Sequence, residues 1–203
     1  MSFFIWSQLA LVCLLGAMSP GPSLALIIRN SINYNRLSGI ISSIGHGLGI
    51  GIYAIVTVFL LEIILQNSEK IFFFIQICGS IFLIVLGFFF VLKNNKNKIE
   101  TYKINSNSFF QGFVIAIINP KILIWFIALY SQFIDINANL IDKTILILTP
   151  SIIDAIWYSV VAILVTGYGL KEFFNKRKLV IEKIIGSLLI LIGISLIYSL
   201  TNL

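Results

Sequence analysis

Apolar residues run along the chain in blocks, and polar residues gather in the intervals between them. A helix needs about 20 predominantly apolar residues to cross the hydrocarbon core of a bilayer. Six stretches of that kind emerge, near 3–29, 38–62, 71–92, 109–133, 144–168 and 182–200. The pattern predicts an all-α integral membrane protein with six transmembrane helices. The intervals are short except 93–107, which is polar and rich in Lys and Asn. One transmembrane domain over 1–203 is therefore expected, with a solvated loop at 93–107 between a first half, 1–92, and a second, 108–203.

Two of the blocks are interrupted. Ser19-Pro20-Gly21-Pro22 sits inside the first, where two missing backbone donors and a glycine make a continuous helix improbable. Asn119-Pro120-Lys121 interrupts the fourth. Within hydrocarbon a broken helix is tolerated where its freed backbone groups meet protein or line a polar cavity. The half-helix opening near Pro22 would aim its free N–H groups and positive dipole end into the membrane interior, as in transporters that hold an anionic substrate group. Breaks in matching positions of two halves point to a substrate site between them. The bland alternative is a pair of proline kinks that only shape the bundle.

Composition agrees with the pattern. Hydrophobic residues make up 59% and charged residues 11% of the chain, against about 25% charged in a soluble domain. The net charge of +6 would suit a nucleic-acid partner, but the basic residues lie between the apolar blocks and read as a topology signal. The intervals after spans one, three and five hold eleven of the fourteen Lys and Arg residues; those after spans two and four hold Lys70 and Lys143. The positive-inside rule then places the odd intervals in the cytoplasm and both termini outside. Ahead of the first block there is no positive n-region, and the block outlasts a signal h-region, so it is expected to stay as a span. Cys13 and Cys78 lie in apolar runs and read as packing residues. A single His excludes a multi-histidine metal site.

The halves resemble each other. Pro20 matches Pro120, Tyr53 matches Tyr158, Gly79-Ser80 matches Gly186-Ser187 and Gly87 matches Gly193, at similar separations. A duplicated three-span unit must insert upside down, which gives an inverted 3+3 repeat. In span two, Gly45/Gly49 and Gly47/Gly51 are overlapping small-xxx-small pairs that admit another helix closely. They do not form a dinucleotide fingerprint, since Ile50 stands where the third glycine belongs.

Ionisable residues inside spans are costly and are functional candidates. His46 lies one turn from Ser42 at about the depth of Pro20, and reads as either a packed neutral His or a proton-handling one. Lys121 falls near the middle of span four, where insertion costs about 2.5–3.5 kcal/mol. Asp154 follows Pro150 at about 15 Å into span five, with Trp157 and Tyr158 on its face. A structural Lys121–Asp154 ion pair and a substrate-amine or proton site at Asp154 are both open. Glu62, Ser131 and Gln132 lie near span ends and read as interfacial, with Glu62 meeting water.

These residues together resemble the lysine exporter family, the LysE/RhtB group of small bacterial amino-acid efflux proteins. The resemblance is carried by Ser19-Pro20-Gly21-Pro22, by the Gly-rich 39–53 stretch, and by Ser108-Phe109-Phe110-Gln111-Gly112-Phe113 running into Asn119-Pro120-Lys121 and Gln132-Phe133. Asp154 with Trp157, and Gly186 with Gly193, extend it over nearly the whole chain. It implies proton-driven export of an amino acid or derivative across a bacterial inner membrane, with no cofactor and no nucleic-acid partner. Carried over by position, Pro20, Gly21, Pro22, Asn119, Pro120 and Lys121 shape the substrate path. Ser23 and Tyr158 are added as substrate contacts, and Asp154 and His46 as coupling residues. Some members carry an acid in the Gly-rich part of span two, where this chain has His46. A homodimer is the candidate assembly. The rivals are efflux of a metal cation or other small solute, a membrane-embedded enzyme and a non-transporting scaffold. One His without paired intramembrane carboxylates argues against the metal, and Asp154 without a paired base argues against the enzyme.

Overall fold

The computed structural model describes residues 1–92, 107–135, 138–167 and 171–201. The loop foreseen at 93–107, with Lys93, Lys96, Lys98 and Lys103, lies outside the described residues apart from Asn107. The described residues form helices α1 (Phe3–Met18), α2 (Pro22–Asn33), α3 (Arg36–Asn67), α4 (Glu69–Leu92), α5 (Ser108–Ile118), α6 (Pro120–Tyr130), α7 (Leu140–Gly167) and α8 (Lys171–Thr201).

Local chemistry sets where these helices start. The side chain of Asn35 accepts from the Ser38 amide at 2.8 Å, that of Asn107 from Phe110 at 3.0 Å, and that of Asn139 from Asp142 at 2.9 Å. Each satisfies a first-turn donor that the helix itself leaves unpaired. Pro22 and Pro120 stand at the first turns of α2 and α6, where a missing N–H costs no helical bond. The axis turns by 63° between α1 and α2. Among the described residues four helices, α3, α4, α7 and the 179–201 part of α8, are long and apolar enough to cross a membrane, and the bent α1–α2 pair makes five. At 11 residues, α5 is about 16 Å long, roughly half a hydrocarbon core. Large apolar side chains such as Ile55, Val56, Phe59, Phe74, Phe89 and Leu191 face outward, the surface a multi-pass membrane protein turns to lipid.

Glycines decide which helices touch. A Cβ on Gly49 would sit 2.6 Å from the Cβ of Ala116, and one on Gly45 would run into the Phe109 carbonyl, so this pair faces α5. A Cβ on Gly47 would lie 2.8 Å from the Cβ of Ala155, and Gly51 looks onto Ser151, so the other pair faces α7. The two small-residue pairs therefore admit two helices, one on each side of α3. Gly87 and Gly186 form the equivalent contact between α4 and α8: each carbonyl lies 2.5–2.6 Å from where the other's Cβ would be.

Two span-end residues differ from expectation. Glu62 does not simply meet water, because its Oε1 accepts from Lys143 Nζ at 2.5 Å and its side chain is 17% exposed. The Lys143 ammonium at the start of α7 reaches across to α3 and shields it. Ser131 is fully buried rather than interfacial, and its carbonyl accepts from Gln76 Nε2 at 2.8 Å. Gln132 in turn donates to the Gln76 carbonyl at 3.0 Å.

Gly45→Leu and Gly47→Leu should each destabilise the bundle by about 1–3 kcal/mol or more through overpacking. Gly51→Ala, whose nearest neighbour would be Ser151 Oγ at 3.3 Å, should be far milder. Melting of the detergent-solubilised protein, followed by size-exclusion fluorescence, checks the ranking.

Candidate functional site

The two interruptions meet. Ser19, closing α1, accepts a hydrogen bond from the Lys121 ammonium at the start of α6. Asn119, between α5 and α6, donates through Nδ2 to Ser23 Oγ in the first turn of α2 at 3.3 Å. Asn119 also accepts from the Lys121 amide at 3.1 Å, which takes that N–H away from the Ile117 carbonyl. Tyr53 of α3 supplies the missing donor, its hydroxyl lying 2.6 Å from Ile117 O. Pro150 creates the same need inside α7, since it cannot donate to Leu146 O four residues earlier. Here the Tyr130 hydroxyl donates, at 2.8 Å.

His46 and Asp154 are brought together from α3 and α7. Nδ1 of His46 lies 2.6 Å from Asp154 Oδ2, and Nε2 lies 2.8 Å from Ser23 Oγ. Both residues are buried, His46 at 1% exposure and Asp154 at 5%. A carboxylate accepts, so Nδ1 carries a proton toward Asp154. Ser23 accepts from Asn119 and has its own hydroxyl proton to give to Nε2, which fits the neutral imidazole. A protonated imidazole would instead donate to Ser23 from Nε2, so either charge state keeps both contacts. The Tyr158 ring meets the imidazole edge-on, with centroids 5.0 Å apart. Lys121 Nζ lies 5.2 Å from the centre of the Phe90 ring, within cation–π reach.

A cavity of about 60 Å3 lies between these groups, room for about four waters by the volume a single water needs. Its polar end is lined by Ser19, Ser23, His46, Asn119, Lys121 and Asp154, with Gly21 and Tyr158 adjoining. Seven of the ten candidates read from sequence thus border one space. Pro20 and Pro22 are half-buried and set the backbone of the first break. Pro120 opens α6, and its side chain lies outside the described residues. Asp154 holds His46 and Lys121 holds Ser19, whereas the sequence left a Lys121–Asp154 pair open. Sequence reasoning did not foresee Cys13, Trp125 and Tyr130 in the wall. Trp125 stands one helical turn beyond Lys121, a spacing that could have pointed to it. A second polar knot also went unread. Asn30 Nδ2 donates to Ser42 Oγ at 2.8 Å and to Gln111 Oε1 at 2.9 Å, joining α2, α3 and α5 one turn from His46.

The family model for LysE type translocators matches residues 14–200. The chain belongs to that family. It is 24% identical over 188 residues to the uncharacterized membrane protein YrhP of Bacillus subtilis (strain 168), covering 86% of this chain and 90% of that protein. It is 22% identical over 203 residues to the threonine efflux protein of Escherichia coli (strain K12), covering 96% and 98%. The threonine efflux protein of Salmonella typhi is 23% identical over 202 residues, with the same coverage. No solved structure matches the chain. The cavity where the two breaks meet thus lies in a member of a translocator family.

Tyr130→Phe leaves the Leu146 carbonyl buried without a donor and should cost about 1–3 kcal/mol. Adding Pro150→Ala restores an amide to that carbonyl and should recover much of the loss. A double-mutant cycle on thermal stability tests the coupling, and additive effects would refute it.

Proposed function

We propose that this translocator is a secondary exporter of an amino acid or close derivative, driven by the proton gradient across a bacterial inner membrane. The observation that carries the reading is the convergence of both helix breaks, a lysine and a buried, hydrogen-bonded His–Asp pair on one cavity. A zwitterion needs an anion site and a cation site a few ångströms apart. The first-turn N–H groups of α2, with Lys121 beside them, suit a carboxylate. Asp154 suits an ammonium. The threonine efflux relatives support an amino acid as cargo and efflux as direction.

Coupling follows from sharing one acid. Asp154 partners either a protonated His46 or the substrate ammonium, and two cations crowded on a single buried carboxylate repel. Loading substrate then expels a proton, and protonation then expels substrate. Competition of this kind exchanges one for the other. The cavity holds about four waters, fewer atoms than an amino acid carries, so loading requires the two breaks to part.

The architecture we propose has six spans, with α1–α2 and α5–α6 each one broken span, in an inverted 3+3 repeat and with both termini outside. Its packing supports the repeat. Under the sequence matches, Gly87 corresponds to Gly193 and Gly186 to Gly79. The Gly87–Gly186 contact then corresponds to one between Gly193 and Gly79, and a Cβ on Gly193 would lie 2.9 Å from the carbonyl oxygen of Ser80, the residue next to Gly79.

In proteoliposomes under an imposed pH gradient, Asp154→Asn should abolish gradient-driven amino-acid accumulation, down to the level of empty vesicles. Unchanged accumulation would overturn the coupling assignment.

A further inference from the structure

We infer that the substrate is a neutral amino acid with an aliphatic side chain, and that Trp125 sets how long that side chain can be. The inference rests on the exporter reading above and names its cargo. The cavity has two unlike ends. The polar end, at the breaks, offers the groups that a backbone ammonium and carboxylate require. From there the wall continues along α1 and α6, with Ile50 of α3 beside them, and it turns apolar: Cys13, Ile50, Ile122, Trp125, Phe126 and Leu129. A side chain attached to a zwitterion held at the breaks has this end to enter.

Charge decides against the alternatives. Among the described residues Asp154 is the acid in the cavity wall, and His46 and the incoming ammonium already compete for it. The second cation of a dibasic amino acid would arrive among apolar atoms. A cation–π contact with Trp125 offsets only part of the desolvation of an unpaired buried charge. An acidic side chain would lie even worse, against the electron-rich ring faces of Trp125 and Phe126. A hydroxyl fares better than a charge but still gives up most of its hydrogen bonds to water there. The nearby Tyr130 hydroxyl already gives its proton to Leu146 O and can only accept, so at most one of those bonds is replaced by it.

Length is limited by the indole. Trp125 lies flat against Gly16 of α1, where an added Cβ would stand 2.9 Å from Cε2. The missing side chain at Gly16 is what lets the indole retract and leave space in front of it. Removing the indole lengthens the apolar end, and filling the Gly16 position pushes the indole inward.

The test is gradient-driven transport by the full chain in proteoliposomes, with valine, leucine, threonine, phenylalanine, lysine and glutamate assayed separately. Valine and threonine are near-isosteres, so their ratio isolates the hydroxyl. Valine or leucine should exceed threonine by about tenfold or more in kcat/KM, and lysine and glutamate by more again. Threonine equal to valine, or transport of lysine or glutamate at a comparable rate, overturns this inference while leaving an amino-acid exporter. Failure to move any amino acid overturns the exporter reading as well. Trp125→Ala should raise phenylalanine relative to valine by about tenfold. Should that variant not fold, Trp125→Leu should shift the same ratio less, in the same direction. An unmoved ratio in the folded variant removes Trp125 from the specificity wall.

Discussion

A backbone carbonyl or amide without a partner has no water to turn to inside hydrocarbon, and this constraint organises the molecule. The chain interrupts its helices at Ser19–Gly21 and at Asn119, and blocks one more helical bond at Pro150. At Asn119 and Pro150 a freed carbonyl is met by a tyrosine from another helix, and at the first break the contact is between side chains. Tyr53 of α3 reaches Ile117 O, Tyr130 of α6 reaches Leu146 O, and Asn119, between α5 and α6, reaches the Ser23 side chain of α2. A soluble protein could leave these groups to solvent. Here the repairs become tertiary links, and they tie the breaks to the helices that carry His46 and Asp154. Tyr53 and Tyr130 also both stack on Phe126, so repair and packing reinforce each other.

Close approach is the second requirement, and glycine provides it. Side chains of ordinary length would hold α3 some ångströms farther from α5 and α7, and the bond between His46 and Asp154 at 2.6 Å would not form. Ser151 shows how tight that seam is, since its hydroxyl donates to the Gly47 carbonyl of the facing helix at 2.7 Å. Polar groups in such a seam meet their partners directly.

How much of this could be read from the sequence follows from the range of each rule. Proline acts on its own helix, so both breaks were legible, nearly to the residue. Small-residue spacing is also local, and it marked α3 as a helix that others approach. It could not say that alternate glycines face two different neighbours, because that depends on the rotation of α3 between α5 and α7. The partners of Asp154 and Lys121 were illegible for the same reason. Periodicity puts a residue on a face, and only the packing of faces decides which imidazole or hydroxyl lies opposite. Glu62 was misread because an end-of-span acid was weighed against water alone, whereas Lys143 comes from a helix eighty-one positions away. The count of spans sits between these cases: α5 is too short to cross alone, and treating it with α6 as one span is an inference from the break.

Ser23 is where the constraint and the chemistry coincide. It stands in the first turn of α2, beyond the first break, yet its hydroxyl oxygen is shared by Asn119 from the second break and His46 from α3. Under the exporter reading proposed above, opening the cavity to a solute must part some of these groups, since they come from different helices. Ser23 and His46 both belong to the first half and can move together, whereas Asn119 and Asp154 belong to the second. A change in the spacing of the halves would then reach the imidazole at its bond to Asp154, and a change of charge on the imidazole would be felt at that same contact. Linkage of this kind is reciprocal.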